Sequence, residues 1–386
     1  MDFSMTEDQV IFKSTAKKFF EEKCTTPSLT EFEKSKEQYS PSFYQELADL
    51  GFLGLIVPEE YGGIDGDLMD LSIIVEEAGK AMFSAPFVST LVNGVLPILN
   101  FGTEEQKKAL LPQIIEGKSI VTGAMIESQA HYDLSYVKAR ASKSGDGYTL
   151  NGTKLFVKFA ETADYFLTLA RTDNKEDGSK EGLSLFLVKN DATIKKQALQ
   201  SIGSDKLFEV EFQNVQLTKN DLLGNENEGW AAVDKLNQLA TALQCVEMAG
   251  LLRRALDLTT DYVKERTQFN RPIGSFQSVQ HRLSDIYTIV EGGQLAALQA
   301  IWRLNEGMSA EKEIAVAKAW LCKEGQKVLV GTHQLHGGMG IDMDYPLQFA
   351  FRRFKSMEVE LGSAPIHLKK IASTFKTNKV AEVIHS

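Results

Sequence analysis

The chain has 386 residues, enough for two or three packed regions, with 43% hydrophobic residues, as in an ordinary soluble protein. A formal charge of −10, from 52 acidic and 42 basic residues, argues against general nucleic-acid binding, which needs a basic surface. No run of about 18 apolar residues is present to span a membrane, and the start, Met1 to Asp8, lacks the basic and apolar segments of a secretion signal. Cys24, Cys245 and Cys322 are scattered without metal spacing, and the six His residues contain no His-x-x-x-His pair. They read as reduced cytoplasmic thiols, with no metal site expected.

Residues 1–118 read as a helical region. Thr6, with Asp8 and Gln9, opens a first helix in which Phe12, Ala16, Phe19 and Phe20 recur at helical spacing. Pro41 starts a second helix over Ser42–Leu50, and Gly51 ends it. Val57-Pro-Glu-Glu-Tyr-Gly-Gly63 is a loop. Residues 119–230 take on strand texture. Tyr148–Gly152 is a strand with a turn expected after it, and Tyr165–Ala170 and Leu183–Val188 are apolar runs suited to a sheet core. Phe208, Val210 and Phe212 alternate with polar residues, the period of a half-exposed strand.

Residues 231–386 return to helix. A stripe of Val233, Leu236, Leu239, Leu243, Val246, Leu251, Ala255, Leu258 and Tyr262 lies mostly on one helical face. Arg266 and Phe269, three apart, would sit side by side near that helix's end, before Pro272 stops it and Gly274 allows a turn. A guanidinium beside an aromatic ring suits an anionic ligand with a flat face, such as a dinucleotide. It also suits an ordinary cation at a helix C-terminus. Gln334-Leu-His-Gly-Gly-Met-Gly340 carries glycines that let backbone N–H groups approach a phosphate.

Arg266-Thr-Gln-Phe269 with Arg271 to Gln277, then Gln334 to Gly340 with Tyr345-Pro346, resemble the two FAD-contacting signatures of the acyl-CoA dehydrogenase family. The Val57–Gly63 loop, Glu76-Glu-Ala-Gly79 and Gly102 to Lys107 match further family strings in order, so the resemblance covers essentially the whole chain. It implies a mainly helical α+β fold: an N-terminal helical domain over 1–118, a β-barrel-like middle domain over 119–230, and a C-terminal four-helix bundle over 231–386. It implies FAD, an acyl-CoA substrate and an electron-transfer flavoprotein as electron acceptor. Arg266, Phe269, Gln334, Gly337 and Gly338 would touch an FAD held mainly by a neighbouring subunit.

The family reaction takes an α-proton with a carboxylate and passes a β-hydride to the flavin. The usual base is a Glu in a Tyr-Glu-Gly-Thr loop. Aligned without a gap from Gln334, this chain has Glu360-Leu361-Gly362-Ser363 there, so Leu361 stands in the base position. The base of some relatives, on the long helix, falls on Ala240. Glu360 is then the nearest candidate base. Glu247, two turns beyond Ala240, is another, although pairing with Arg253 or Arg254 is the favoured reading of it. On the flavin-ring side, Ile126 and Tyr132 replace hydroxyl residues within Ile126–Asp133. Phe156-Val-Lys158 stands for Trp-Ile-Thr: Phe156 keeps an aromatic face, and Lys158 could donate a hydrogen bond but reads as a solvent-facing strand residue.

Ring-wall and base positions are thus altered, while those offered to a neighbour's FAD are kept. The pattern resembles the small-subunit branch of heteromeric acyl-CoA dehydrogenases, of the pimeloyl-CoA or steroid side-chain type. It implies a FAD-sharing subunit with a homologous partner in a heterotetramer. Two alternatives stay open: a self-sufficient homo-oligomeric enzyme with a displaced base, and a non-catalytic acyl-CoA-binding or scaffold protein.

Overall fold

The computed structural model describes residues 3–36, 39–129, 132–175, 177–203 and 205–384, with backbone alone from 376 onward. Along the chain the order is helices, then a sheet, then helices. Two compact units form, neither continuous in sequence: Met1–Thr30, Leu68–Phe83 and Gln238–Ser386 make the first, Glu31–Asp67 and Ser84–Asn237 the second. Among the described residues no helix is long and apolar enough to cross a membrane.

In the first unit, helix Glu7–Lys23 opens as its sequence requires. Thr6 caps it, and the Thr6 and Gln9 side chains take each other's backbone N–H groups. Ala16, Phe19 and Phe20 are its buried face. The apolar stripe becomes helix Gly229–Glu265, whose part from Gln238 on belongs to this unit. It crosses helix Leu68–Lys80 with the two backbones nearly touching. A Cβ on Gly79 would lie 2.3 Å from the Glu247 carbonyl oxygen, and one on Gly250 2.3 Å from that of Glu76. A side chain at either crossing point would force the two helices apart. Helices Gln277–Asn305, Glu311–His336, Leu347–Val359 and Ala364–Ile384 complete the unit.

The second unit is built on an eight-stranded sheet: β1 Val121–Ala124, β2 Arg140–Ser144, β3 Gly147–Lys158, β4 Tyr165–Arg171, β5 Leu183–Lys189, β6 Lys195–Leu199, β7 Leu207–Leu217 and β8 Leu222–Leu223. Its order is β6-β7-β3-β2-β4-β5-β8, with β1 parallel to β4. β4 and β5 are buried almost throughout, as their unbroken apolar runs require. The turn expected after Gly152 is absent, because β3 continues to Lys158. Gly152 serves close packing instead: a Cβ there would come within 2.5 Å of Ala139 Cβ.

Candidate functional site

The second unit carries Ile126, Phe156 and Lys158. β3 pairs Lys154 with Val210 but Val157 with Phe208, so one extra residue bulges from β3. The bulge turns Phe156 outward, with φ 58° and 54% exposure. An aromatic residue at positive φ is costly and persists only where its surroundings over-determine it. Ile126 adjoins the bulge, its carbonyl accepting the Leu155 N–H at 2.8 Å. Ala130 and His131, in the Ile126–Asp133 stretch, lie outside the described residues.

Lys158 is not the solvent-facing residue its strand position suggests. Its Nζ lies 3.1 Å from Asp205 Oδ2, and Asp205 Oδ1 accepts the Ser84 hydroxyl at 2.5 Å. Other charges of this unit are likewise paired within it. Lys154 is fully buried and donates to Glu127 Oε1 and the Leu169 carbonyl, each at 2.7 Å. Glu127 in turn takes the backbone N–H groups of Lys138 and Ala139. Such pairing is what makes a buried cation tolerable.

The first unit carries the remaining expected positions. Its long helix ends at Glu265, and β9 Thr267–Gln268 pairs with β10 Arg271–Pro272 in a tight hairpin. Phe269 and Asn270 form its turn at φ 56° and 63°. Positive φ at both central residues suits the strand twist of a two-residue hairpin. Arg266 and Phe269 are therefore not side by side on a helix: the chain has already left helical geometry. Phe269 is 84% exposed, its edge packed on Phe276, and Arg271 lies 4.0 Å over the Phe276 ring. Gly274 sits in the short turn Ile273–Ser275, as expected, and a Cβ there would lie 2.9 Å from the Val263 carbonyl oxygen.

Gln334, Gly337 and Gly338 are exposed at the end of helix Glu311–His336. Gly337 has φ 58° and ψ −131°, a conformation few residues but glycine adopt. A Cβ on Gly337 or Gly338 would meet no protein atom within 4 Å, so a ligand can approach these backbones closely, although the Gly337 N–H is already bonded to the Gln334 and His333 carbonyls. This turn and the hairpin helix are joined by an aromatic pair. Tyr262, one turn before Arg266, stacks on His336, just before Gly337, at 4.4 Å between ring centres.

The Leu347–Val359 helix ends in the Glu360–Leu361–Gly362 turn. Leu361 has φ 57°, and its carbonyl accepts a hydrogen bond from His367 Nε2 at 3.0 Å. Burial pushes the His367 imidazole down to about 4. Glu360 Oε2 accepts from Gln244 Nε2 at 2.8 Å, and Gln244 Oε1 accepts from the fully buried Lys318 ammonium. Lys318 also donates to the Met357 carbonyl at 2.7 Å. Glu247 pairs with Arg353 at 2.5 Å, not with Arg253 or Arg254 as its helical neighbours suggest. Arg253 instead pairs with Glu291. Gln244, Lys318 and His367 carried no motif and were invisible in sequence. His336 lay inside a recognised string, but only its ring contacts give it a role.

The sequence matches the acyl-CoA dehydrogenase N-terminal domain over residues 6–118, the middle domain over 122–215 and the C-terminal domain over 227–375. It is 33% identical over 357 residues to the mitochondrial long-chain specific acyl-CoA dehydrogenase of Sus scrofa, covering 90% of this chain and 81% of that protein. The chain belongs to the acyl-CoA dehydrogenase family. The 3-(aryl)acrylate reductase of Clostridium sporogenes is 30% identical over 379 residues, 95% of this chain and 98% of the relative. A chain of the ChsE4-ChsE5 complex from Mycobacterium tuberculosis superposes with a TM-score of 0.88 at 28% identity, covering 97% of this chain and 99% of that one. The expected acyl-CoA dehydrogenase fold stands, with its helical, sheet and helical domains. The family's members are flavin oxidoreductases, and FAD is its cofactor.

The residues present fit FAD unevenly. The exposed Arg266 cation and the close approach allowed by Gly337 and Gly338 suit a pyrophosphate. At the expected ring positions, Ile126 has no side-chain donor, and Lys158 is drawn to Asp205.

Proposed function

We propose that this acyl-CoA dehydrogenase chain is the FAD-sharing subunit of a hetero-oligomer, completed by a homologous partner subunit that supplies the catalytic base. The reaction is α,β-desaturation of an acyl-CoA thioester, with an electron-transfer flavoprotein as acceptor. Bound FAD would supply the two-electron acceptor for this reaction. Arg266 would offer charge-assisted hydrogen bonds to its pyrophosphate, the side-chain-free Gly337 and Gly338 would let it approach closely, and Phe269 would pack on its adenine face. Gln334 lies one turn before the glycines and adds amide contacts.

One observation carries the reading: the expected base position is occupied by Leu361, and the neighbouring Glu360 carboxylate is engaged by Gln244. Leu361 cannot take a proton, and the Glu360 carboxylate beside it is held by Gln244 against the buried Lys318. Glu360 is an anchor of the turn in this reading, and Glu247 is neutralised by Arg353. The likeness to a chain of a two-component complex supports a heteromer. The Clostridium sporogenes relative, named a reductase, supports a second reading in which the same site runs the reaction toward reduction of an unsaturated acyl group.

Flavin content tests the proposal. The chain purified alone should hold well under one FAD, and co-purification with a homologous partner carrying the usual Glu should restore it. One tightly held FAD per chain in a homo-oligomer would make it a self-sufficient enzyme instead.

A further inference from the structure

His336 is 3% exposed, and each of its polar atoms has a partner. Nδ1 lies 2.8 Å from the Thr332 carbonyl oxygen, which can only accept, so Nδ1 carries the proton. Nε2 of the neutral ring is then an acceptor, and the Tyr345 hydroxyl donates to it at 3.0 Å. The backbone carbonyl of His336 accepts the Tyr262 hydroxyl at 3.4 Å, while the two rings stack. Burial lowers the imidazole's proton affinity and raises that of Tyr345, which favours this single arrangement of protons. Three segments thus converge on the residue from which the chain enters Gly337: the last turn of the Gly229–Glu265 helix, the Glu311–His336 helix, and the Tyr345 loop.

We propose that His336, gripped by Tyr262 and Tyr345, is a positioning residue that locks the Gly337–Gly338 turn to the Arg266 hairpin, so that both meet one ligand in a fixed geometry. Each contributor alone is weak: an exposed Arg on a hairpin is mobile, and a glycine turn has many conformations. Stacking Tyr262 on His336 removes that freedom before binding. The ligand class is an anionic dinucleotide, and in naming it as FAD this inference rests on the function proposed above.

The test uses the complete assembly, with FAD affinity and amide hydrogen exchange as separate readouts. Tyr345→Phe keeps the ring and removes only the donor to Nε2. It should weaken FAD binding about three- to tenfold, the range of one lost neutral hydrogen bond. Exchange at the Gly337 and Gly338 amides should rise by a similar factor. His336→Phe keeps the stack, removes both side-chain hydrogen bonds and should do more. Combined with Arg266→Ala, Tyr345→Phe should be non-additive, because Arg266 loses its value once its partner turn is loose. A packing role alone would shift the melting temperature and leave the FAD affinity of folded protein within twofold of native. That result, with Arg266→Ala weakening FAD, overturns the proposal. If Arg266→Ala is also silent, the shared-FAD reading fails, and glycine exchange decides alone: unchanged exchange in both variants overturns the lock, and raised exchange upholds it. Should His336→Phe not fold, Tyr345→Phe carries the test.

Discussion

The β3 bulge region of the second unit and the hairpin–glycine surface of the first deal with charge in opposite ways. Around β3, cations are turned inward: Lys154 to Glu127, Lys158 to Asp205, and buried Arg171 to the Val137 and Ser135 carbonyls. Around the hairpin, Arg266, Phe269, Gln334, Gly337 and Gly338 are all exposed. Both regions contain aromatic residues at positive φ, Phe156 in one and Phe269 in the other, so strain alone does not separate them. The destination of the polar groups does. A region that satisfies its own donors internally uses them for stability, whereas the outward groups of the hairpin and glycine turn are those the proposed FAD contacts would use.

That contrast can be broken most forcefully at Lys154. Lys154→Met leaves the buried Glu127 carboxylate without its cation and should cost about 3–5 kcal/mol in chemical denaturation. FAD affinity of the folded fraction should not change, and a variant as stable as the native chain would show the pairing to be idle. His367 sets a comparable effect through pH. Its folded pKa, about 4, lies below the ordinary value of 6.5, so the unfolded chain binds the extra proton between those limits. Its contribution is therefore complete above about pH 6.5 and is lost as pH falls toward 4, on the order of 3 kcal/mol in all. His367→Gln should flatten that acid limb, and an unchanged melting-temperature profile against pH would remove His367 as its source.

Arg266→Ala should do the reverse of Lys154→Met. FAD retention by the assembly should drop about tenfold or more, from roughly 1.5–3 kcal/mol for a charged hydrogen bond. Stability of the chain should barely move, and full retention would return Arg266 to a plain helix-end charge. The smallest effect is expected at Glu360. In the proposed mixed assembly, Glu360→Gln should leave turnover within a few-fold, because Glu360 is proposed only to anchor the turn there. A loss of roughly 10² to 10⁴, the scale of general-base catalysis, with FAD and fold intact, would make Glu360 the base.

Much of this molecule was readable before any coordinates. Helical and strand periodicities, the Thr6 and Pro41 helix starts and the two signature strings are local properties, encoded within a few residues of one another. Their order along the chain was sufficient to indicate the family and its domains. The pairings were not readable. Glu247 chose Arg353 over two arginines much nearer in sequence, and Lys158 found Asp205 across the sheet domain's own loops. His367 reaches Leu361 and Gln244 reaches Glu360, with Lys318 bonded behind Gln244, from three different helices, and Tyr262 meets His336 across 74 residues. Sequence spacing reports neighbours along a helix or strand. Which side chains share a buried volume depends on how helices cross and where a bulge or a left-handed residue redirects the chain, and only the tertiary structure decides that.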